Sequence, residues 1–225
     1  MFFLESLWNI MNPYYLMTIL FCDLCFRELF GGQVYGQENI PVSGPFIVAS
    51  NHLSHLDPPF IGAVFRRREL MFLARKTLFK SRFWNFLLSR INVIPVDKEN
   101  SADISAVRMA LSLLKNGFGI TIFPEGTRSL DGHFGVAQPG IGFLACKSQA
   151  PVLPVRIFGT HKILKKYSTL PDIRQKSKIV IGEPLFPEQY DLFQSEKERY
   201  LLTANYILGR IKQIQEPRCK FCNVC

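Results

Sequence analysis

The chain has 225 residues, 48% of them hydrophobic and 20% charged, which is enough apolar material for one sizeable core and too much for a disordered chain. Its 27 Lys and Arg against 18 Asp and Glu leave a net charge of +9, so an anionic partner is expected: nucleic acid, an acidic membrane surface or a phosphorylated substrate. Twenty Phe shift that balance toward lipid and away from nucleic acid.

Residues 1 to 30 read as an N-terminal unit. A secretory signal does not fit, because a basic leading region is missing and Glu5 precedes any apolar stretch. The run from Tyr14 to Cys22 is followed by Asp23, Arg27 and Glu28, short of the roughly 20 apolar residues a crossing helix needs. Phe2, Phe3, Leu4, Leu7, Trp8, Ile10 and Met11, a break at Asn12-Pro13, then apolar sequence to Phe30 predict two short helices. Such a pair suits a membrane anchor dipping into one leaflet, with Trp8, Tyr14 and Tyr15 at headgroup level. The alternative is a helical hairpin packed on the protein's own core.

After Gly31-Gly32 the pattern becomes short apolar runs separated by helical stretches. Strands are predicted at Phe46 to Ser50, Leu70 to Ala74, Val93 to Val96, Gly119 to Phe123, Val152 to Ile157 and Lys178 to Ile181. Helical spacing covers Pro58 to Arg67, Leu78 to Arg90, Ala102 to Lys115 and Gly140 to Ser148, with an amphipathic helix at Ser195 to Ile214. The alternation predicts an α/β fold: a mostly parallel sheet flanked by helices, over residues 31 to 215. The six cysteines, at 22, 25, 146, 219, 222 and 225, do not spread staples across such a fold, so a reducing interior is expected. The Cys-rich tail at 216 to 225 reads as loose thiols; the metal alternative lacks a fourth ligand at matching spacing.

Two segments carry the chemistry. Asn51-His52-Leu53-Ser54-His55-Leu56-Asp57 lies where a buried strand meets a helix start, the end of an α/β sheet at which ligands sit. A turn bringing Asp57 onto His52 would fix the imidazole tautomer and stabilise the imidazolium, as a general base requires. Two other readings exist: Asp57 before Pro58 as a helix cap, and His52, His55 and Asp57 as metal ligands. Phe123-Pro124-Glu125-Gly126-Thr127-Arg128-Ser129 follows another strand and offers a carboxylate, a close backbone approach and a guanidinium fork for phosphate. Its alternative is a plain turn with a solvated Arg. The sequence lacks a Gly-x-Ser-x-Gly elbow and a Cys beside a His, so it advertises no nucleophile.

Together, NHLSHLD and FPEGTRS closely resemble the paired motifs of the glycerolipid acyltransferases, and within them the lysophosphatidate acyltransferases, over roughly residues 34 to 185. Two softer blocks join them, Asn92-Val-Ile-Pro-Val-Asp-Lys98 and Ala150-Pro-Val-Leu-Pro-Val155. The resemblance implies His52 as general base and Asp57 as its partner, with Glu125, Gly126, Thr127 and Arg128 shaping the acceptor site. It places Pro154 in a block linked to the acyl donor and to packing. The family usually has Gly at Asn92, Arg at Lys98 and Lys at Arg75; Arg75 and Lys76 keep positive charge for a phosphate. Both belong to a basic stretch, Arg66, Arg67, Arg68, Arg75, Lys76, Lys80 and Arg82; Arg156, Lys162, Lys165, Lys166, Arg174, Lys176 and Lys178 form a second. Each is a solvated face or a holder of anionic headgroups.

The implied activity is transfer of a fatty acyl group from acyl-CoA or acyl-acyl carrier protein to the sn-2 hydroxyl of 1-acyl-sn-glycerol-3-phosphate. No further cofactor and no metal are expected. The expected partners are a membrane surface with anionic lipid, a lysophospholipid acceptor and acyl carrier protein, not nucleic acid, with the active site on the cytoplasmic side. A metal-dependent hydrolase and a nucleic-acid-binding module are the readings from other classes.

Overall fold

A computed structural model of the chain describes residues 13–96, 104–129, 131–165, 168, 170–192 and 197–217. Residues 1 to 12, which carry the first expected N-terminal helix, Lys98, Lys166 and the cysteines at 219, 222 and 225 lie outside them.

The strands are β1 (Gln33–Tyr35), β2 (Phe46–Ser50), β3 (Leu70–Arg75), β4 (Val93–Val96), β5 (Gly119–Ile122), β6 (Val152–Phe158) and β7 (Lys178–Ile181). They form one sheet in the order β1-β7-β6-β2-β5-β3-β4. The five from β6 to β4 are parallel; β7 runs antiparallel to β6, and β1 runs parallel to β7. Every residue of β2 is buried, as its unbroken apolar run Phe-Ile-Val-Ala requires of a central strand covered on both faces.

The described helices are α1 (Pro13–Leu24), α2 (Asp57–Val64), α3 (Arg82–Leu88), α4 (Ile104–Lys115), α5 (Pro139–Ser148), α6 (Thr160–Ile163), α7 (Pro187–Tyr190) and α8 (Arg199–Gln213). Alternate residues of β2 feed two cores. Phe46 and Val48 pack with Phe60, Ile61, Val64 and Phe65 of the α2 segment and with Tyr15 and Ile19 of α1. Ile47 and Ala49 pack with α4, α5 and α8 through Ala110, Leu114, Ile141, Leu144, Ala204 and Ile207. At Gly142 the backbones of α5 and α8 approach closely, since a Cβ there would run into the carbonyl of Tyr200.

Four expected bounds are corrected. Strand β5 stops at Ile122, because Phe123 precedes a proline and is pushed out of regular pairing. The helix expected over Leu78 to Arg90 is a 3-10 turn, Lys76–Lys80, then α3, split by an extended Ser81 (φ −77°, ψ 132°). Helix α2 ends at Val64 instead of Arg67. Helix α8 begins at Arg199, whose guanidinium grips the carboxylate of Asp191. Strand β1 and the one-turn helices α6 and α7 were not expected.

The second expected N-terminal helix is α1, continued by a π-turn at Cys25–Leu29. One side packs on the core: the Tyr15 hydroxyl oxygen accepts the Leu70 N–H at 3.1 Å, and the buried Asp23 pairs with Arg27 and with Arg66 beyond α2. The other side exposes Tyr14, Met17, Leu20, Phe21 and Leu24. Among the described residues no helix is long and apolar enough to cross a membrane.

Several of the cations expected to form open basic faces are instead taken up by the fold. Besides Arg66, Arg68 donates to the carbonyls of Pro41 and Gly44, and Arg156 caps α8 through Lys212 O and Ile214 O, both at 2.7 Å. Lys178 pairs with Glu216, whereas Arg174, paired with Asp172, stays on the solvated surface. Asn92 adopts φ 60°, the left-handed region that glycine enters most freely and asparagine next, so its departure from the family's usual Gly is tolerated by the backbone.

Candidate active site

Strands β2 and β5 are adjacent and parallel, so the segments leaving their C-terminal ends emerge side by side at one edge of the sheet. That is why two motifs some 70 residues apart meet. The His52 N–H donates to Glu125 Oε1 at 3.2 Å, and the His52 carbonyl accepts the Ser129 N–H at 2.8 Å. Phe123, released from β5, stacks on the His52 ring with centroids 4.1 Å apart and planes 20° apart. The imidazole is thereby held by its backbone and by one face.

Asp57 supplies the third restraint. Its Oδ2 lies 2.9 Å from His52 Nδ1 and also accepts the N–H groups of Leu53 at 2.6 Å and Ser54 at 2.7 Å. Its Oδ1 accepts the Thr160 hydroxyl at 2.6 Å. The helix-cap reading is not what forms: Asp57 is already helical, its carboxylate reaches back to the preceding loop, and Pro58 and Pro59 suit a first turn that has no use for their missing N–H groups. With Nδ1–H directed at Asp57, the other ring nitrogen, Nε2, keeps its lone pair for a proton. The His52 side chain is 17% exposed and Asp57 is fully buried, so solvent reaches the imidazole and not the carboxylate. A carboxylate engaged by four donors is also poorly placed to bind a cation, and among the described residues no group of three or more His, Cys, Asp or Glu is arranged to hold a metal.

The remaining expected residues divide by position. Glu125 is buried and both of its oxygens accept backbone N–H groups, from His52 and Gly135, so it shapes the site through the backbone it holds. Gly126 turns the chain at φ 66°, and its N–H returns to the Phe123 carbonyl. Gly126 and Thr127 are exposed and Arg128 is half-buried. Arg128 forms no ion pair among the described residues, and its charge, after burial, is what holds the exposed His55 below the usual imidazole range. Arg75 and Lys76 are exposed at the end of β3, on the same edge and one strand beyond β5. Pro154 lies in β6 opposite Ala49, where β7 has just ended, and its carbonyl accepts the Gly182 N–H at 2.8 Å.

Sequence reasoning missed three contributors. The Asn51 side chain makes a two-point bond with Ile157 of β6, Nδ2 donating to O at 3.0 Å and Oδ1 accepting from N at 2.7 Å. The Ser54 hydroxyl donates to the Leu164 carbonyl at 3.0 Å. Thr160 is the third. The first two stand inside the NHLSHLD motif, so a signal existed; Thr160 carries none.

The chain is similar to known proteins in both sequence and fold. A family model described as Acyltransferase matches residues 32–158. The 1-acyl-sn-glycerol-3-phosphate acyltransferase of Bacillus subtilis is 29% identical over 185 residues, covering 82% of this chain and 88% of that protein. The chloroplastic 1-acyl-sn-glycerol-3-phosphate acyltransferase BAT2 of Brassica napus is 26% identical over 179 residues, 79% of this chain; this chain spans about half, 52%, of its length. The crystal structure of PlsC, the 1-acyl-sn-glycerophosphate (LPA) acyltransferase of Thermotoga maritima, superposes with a TM-score of 0.71 at 29% identity over 96% of this chain and 89% of that one. With the matched model spanning β1 through β6 and both motifs meeting at one sheet edge, the chain belongs to the acyltransferase family.

Proposed function

We propose that the chain acylates the sn-2 hydroxyl of 1-acyl-sn-glycerol-3-phosphate, using a phosphopantetheine thioester on coenzyme A or acyl carrier protein and giving phosphatidic acid. The observation that carries this reading is the 2.9 Å contact between His52 Nδ1 and Asp57 Oδ2, at a sheet edge shared with Arg128. His52 Nε2 takes the hydroxyl proton while Asp57 stabilises the imidazolium, and the oxygen attacks the thioester carbonyl. Backbone amides at this edge stabilise the tetrahedral oxyanion. Its collapse breaks the carbon–sulfur bond, and the leaving thiolate recovers the proton from His52. A covalent acyl-enzyme is unnecessary. Arg128, with Arg75 or Lys76, receives the acceptor phosphate.

The exposed apolar side of α1 supports attachment to one leaflet of a membrane whose anionic lipids meet the remaining basic residues, with the site at its cytoplasmic surface. Replacing Met17 and Phe21, 70% and 66% exposed, by Glu is expected to reduce co-sedimentation with anionic vesicles without loss of fold.

The test crosses lysophospholipid acceptors of different headgroup with acyl-CoA and acyl-acyl carrier protein, in wild type and His52→Ala. Loss of about 100- to 10,000-fold in turnover with the fold intact is expected. Retained turnover in His52→Ala refutes the reading. His55→Ala is expected to be mild, and if it is the more damaging of the two, the metal-ligand reading of His52, His55 and Asp57 gains instead.

A further inference from the structure

The segment that follows β6 is stitched to the segment that follows β2. Asn51 bonds to Ile157, Ser54 to the Leu164 carbonyl, and Thr160 to Asp57. Only the last of these bonds reaches a group that touches the imidazole. A carboxylate turns about its terminal bond in a broad, roughly two-fold well, so holding one oxygen leaves that rotation soft. In Asp57, Oδ2 is held by His52, Leu53 and Ser54, and the Thr160 hydroxyl holds Oδ1.

We propose that Thr160 is a positioning residue for the His52–Asp57 pair: its hydroxyl fixes the rotation of the Asp57 carboxylate and thereby the direction of His52. The chain is built to deliver that hydroxyl. Gly159 stands at φ 85°, and a Cβ there would collide with the Lys176 carbonyl, so the backbone turns sharply out of β6 directly into Thr160. Thr160 is fully buried and β-branched, which restricts its χ1 and keeps the donor aimed. The hydroxyl donates its one proton to the carboxylate, a charge-assisted bond at 2.6 Å. A residue 103 positions from Asp57 in sequence thus orients the base without touching substrate.

This inference rests on His52 acting as the general base, and the experiment separates the two. The full chain in mixed micelles is assayed with a long-chain acyl-CoA and lysophosphatidate as wild type, Thr160→Val, Thr160→Ala, Thr160→Ser and His52→Ala. Thr160→Val and Thr160→Ala are expected to lower kcat about ten-fold, the size of one hydrogen bond to a charged group, with KM for both substrates changed less than about two-fold. Thr160→Ser keeps the donor and is expected to retain at least about half of kcat. Proton NMR supplies a readout independent of turnover. The deshielded His52 Nδ1 proton is expected in wild type and Thr160→Ser, and is shifted or broadened in Thr160→Ala. If Thr160→Val does not fold, the Ala and Ser comparison decides. Wild-type kcat and an unmoved Nδ1 signal in Thr160→Ala overturn the proposal, even if its melting temperature falls. Turnover persisting in His52→Ala overturns the general-base role of His52 on which the inference rests; an inactive His52→Ala beside fully active Thr160 variants overturns only the role of Thr160.

Discussion

Replacing Asp57 separates the buried donors its carboxylate accepts from the stabilisation of an imidazolium proposed for it. In Asp57→Asn the amide oxygen at the Oδ2 position still accepts from His52 Nδ1, Leu53 N and Ser54 N, while the amide nitrogen at the Oδ1 position donates to the Thr160 hydroxyl, which can accept as well as donate. The backbone donors keep their acceptor, and among these partners the Thr160 hydroxyl proton alone loses its own, so the cost is about 1–3 kcal/mol, less than in Asp57→Ala, which strands the backbone donors as well. The negative charge is gone, and kcat is expected to fall about 10- to 100-fold, less than in His52→Ala. Asp57→Ala strands two buried backbone N–H groups. At about 1–3 kcal/mol for each orphaned donor, the loss is about 2–6 kcal/mol, and at about 2–4 °C per kcal/mol thermal melting resolves it easily. The assay pairs denaturation with turnover on the same preparations. Equal stability of Asp57→Ala and Asp57→Asn refutes the donor accounting, and full turnover in Asp57→Asn refutes the electrostatic role.

Three further outcomes are expected. Gly142→Ala forces α5 away from the Tyr200 carbonyl and should lower the melting temperature by more than an ordinary surface substitution, with no direct effect on KM in the folded fraction. Burial pushes the Tyr15 hydroxyl up to about 12, so between roughly pH 10 and 12 the folded chain keeps a proton that the unfolded chain has lost. Stability should therefore fall with rising pH through that window, and Tyr15→Phe, which removes the titrating group, should flatten the fall as measured by urea unfolding. For Arg128, Lys and Ala variants should both lose activity on lysophosphatidate, narrowing the gap to an acceptor whose phosphate is esterified; unchanged acceptor kinetics in both would assign the guanidinium elsewhere.

The strands were legible as short apolar runs, unbroken in the central β2, which is buried throughout; β2, β4 and β7 have the predicted bounds. The elements that escaped are those whose cause lies outside their own residues. Strand β1 is three residues long and exists because β7 offers it an edge, pairing Gln33 with Lys178 through Tyr35 with Val180. The break at Ser81 and the start of α8 at Arg199 are set by the backbone turn and by Asp191, not by periodicity.

The site shows the same division between local and distant causes. His52 and Asp57 are five residues apart, and the turn joining them is closed by their own side chains and the N–H groups of Leu53 and Ser54, so the sequence between them encodes the pair. Meeting with Phe123 and Glu125 needs only that β2 and β5 be parallel neighbours, a consequence of sheet order that the paired motifs anticipate. Thr160 contacts Asp57 only because β6 flanks β2 on its other side and ends one glycine earlier, in a conformation most side chains avoid. Neither its residue type nor its neighbours distinguish it from an ordinary helix-starting threonine. The pair proposed as catalytic is therefore encoded locally, whereas the restraint proposed to aim it depends on tertiary packing.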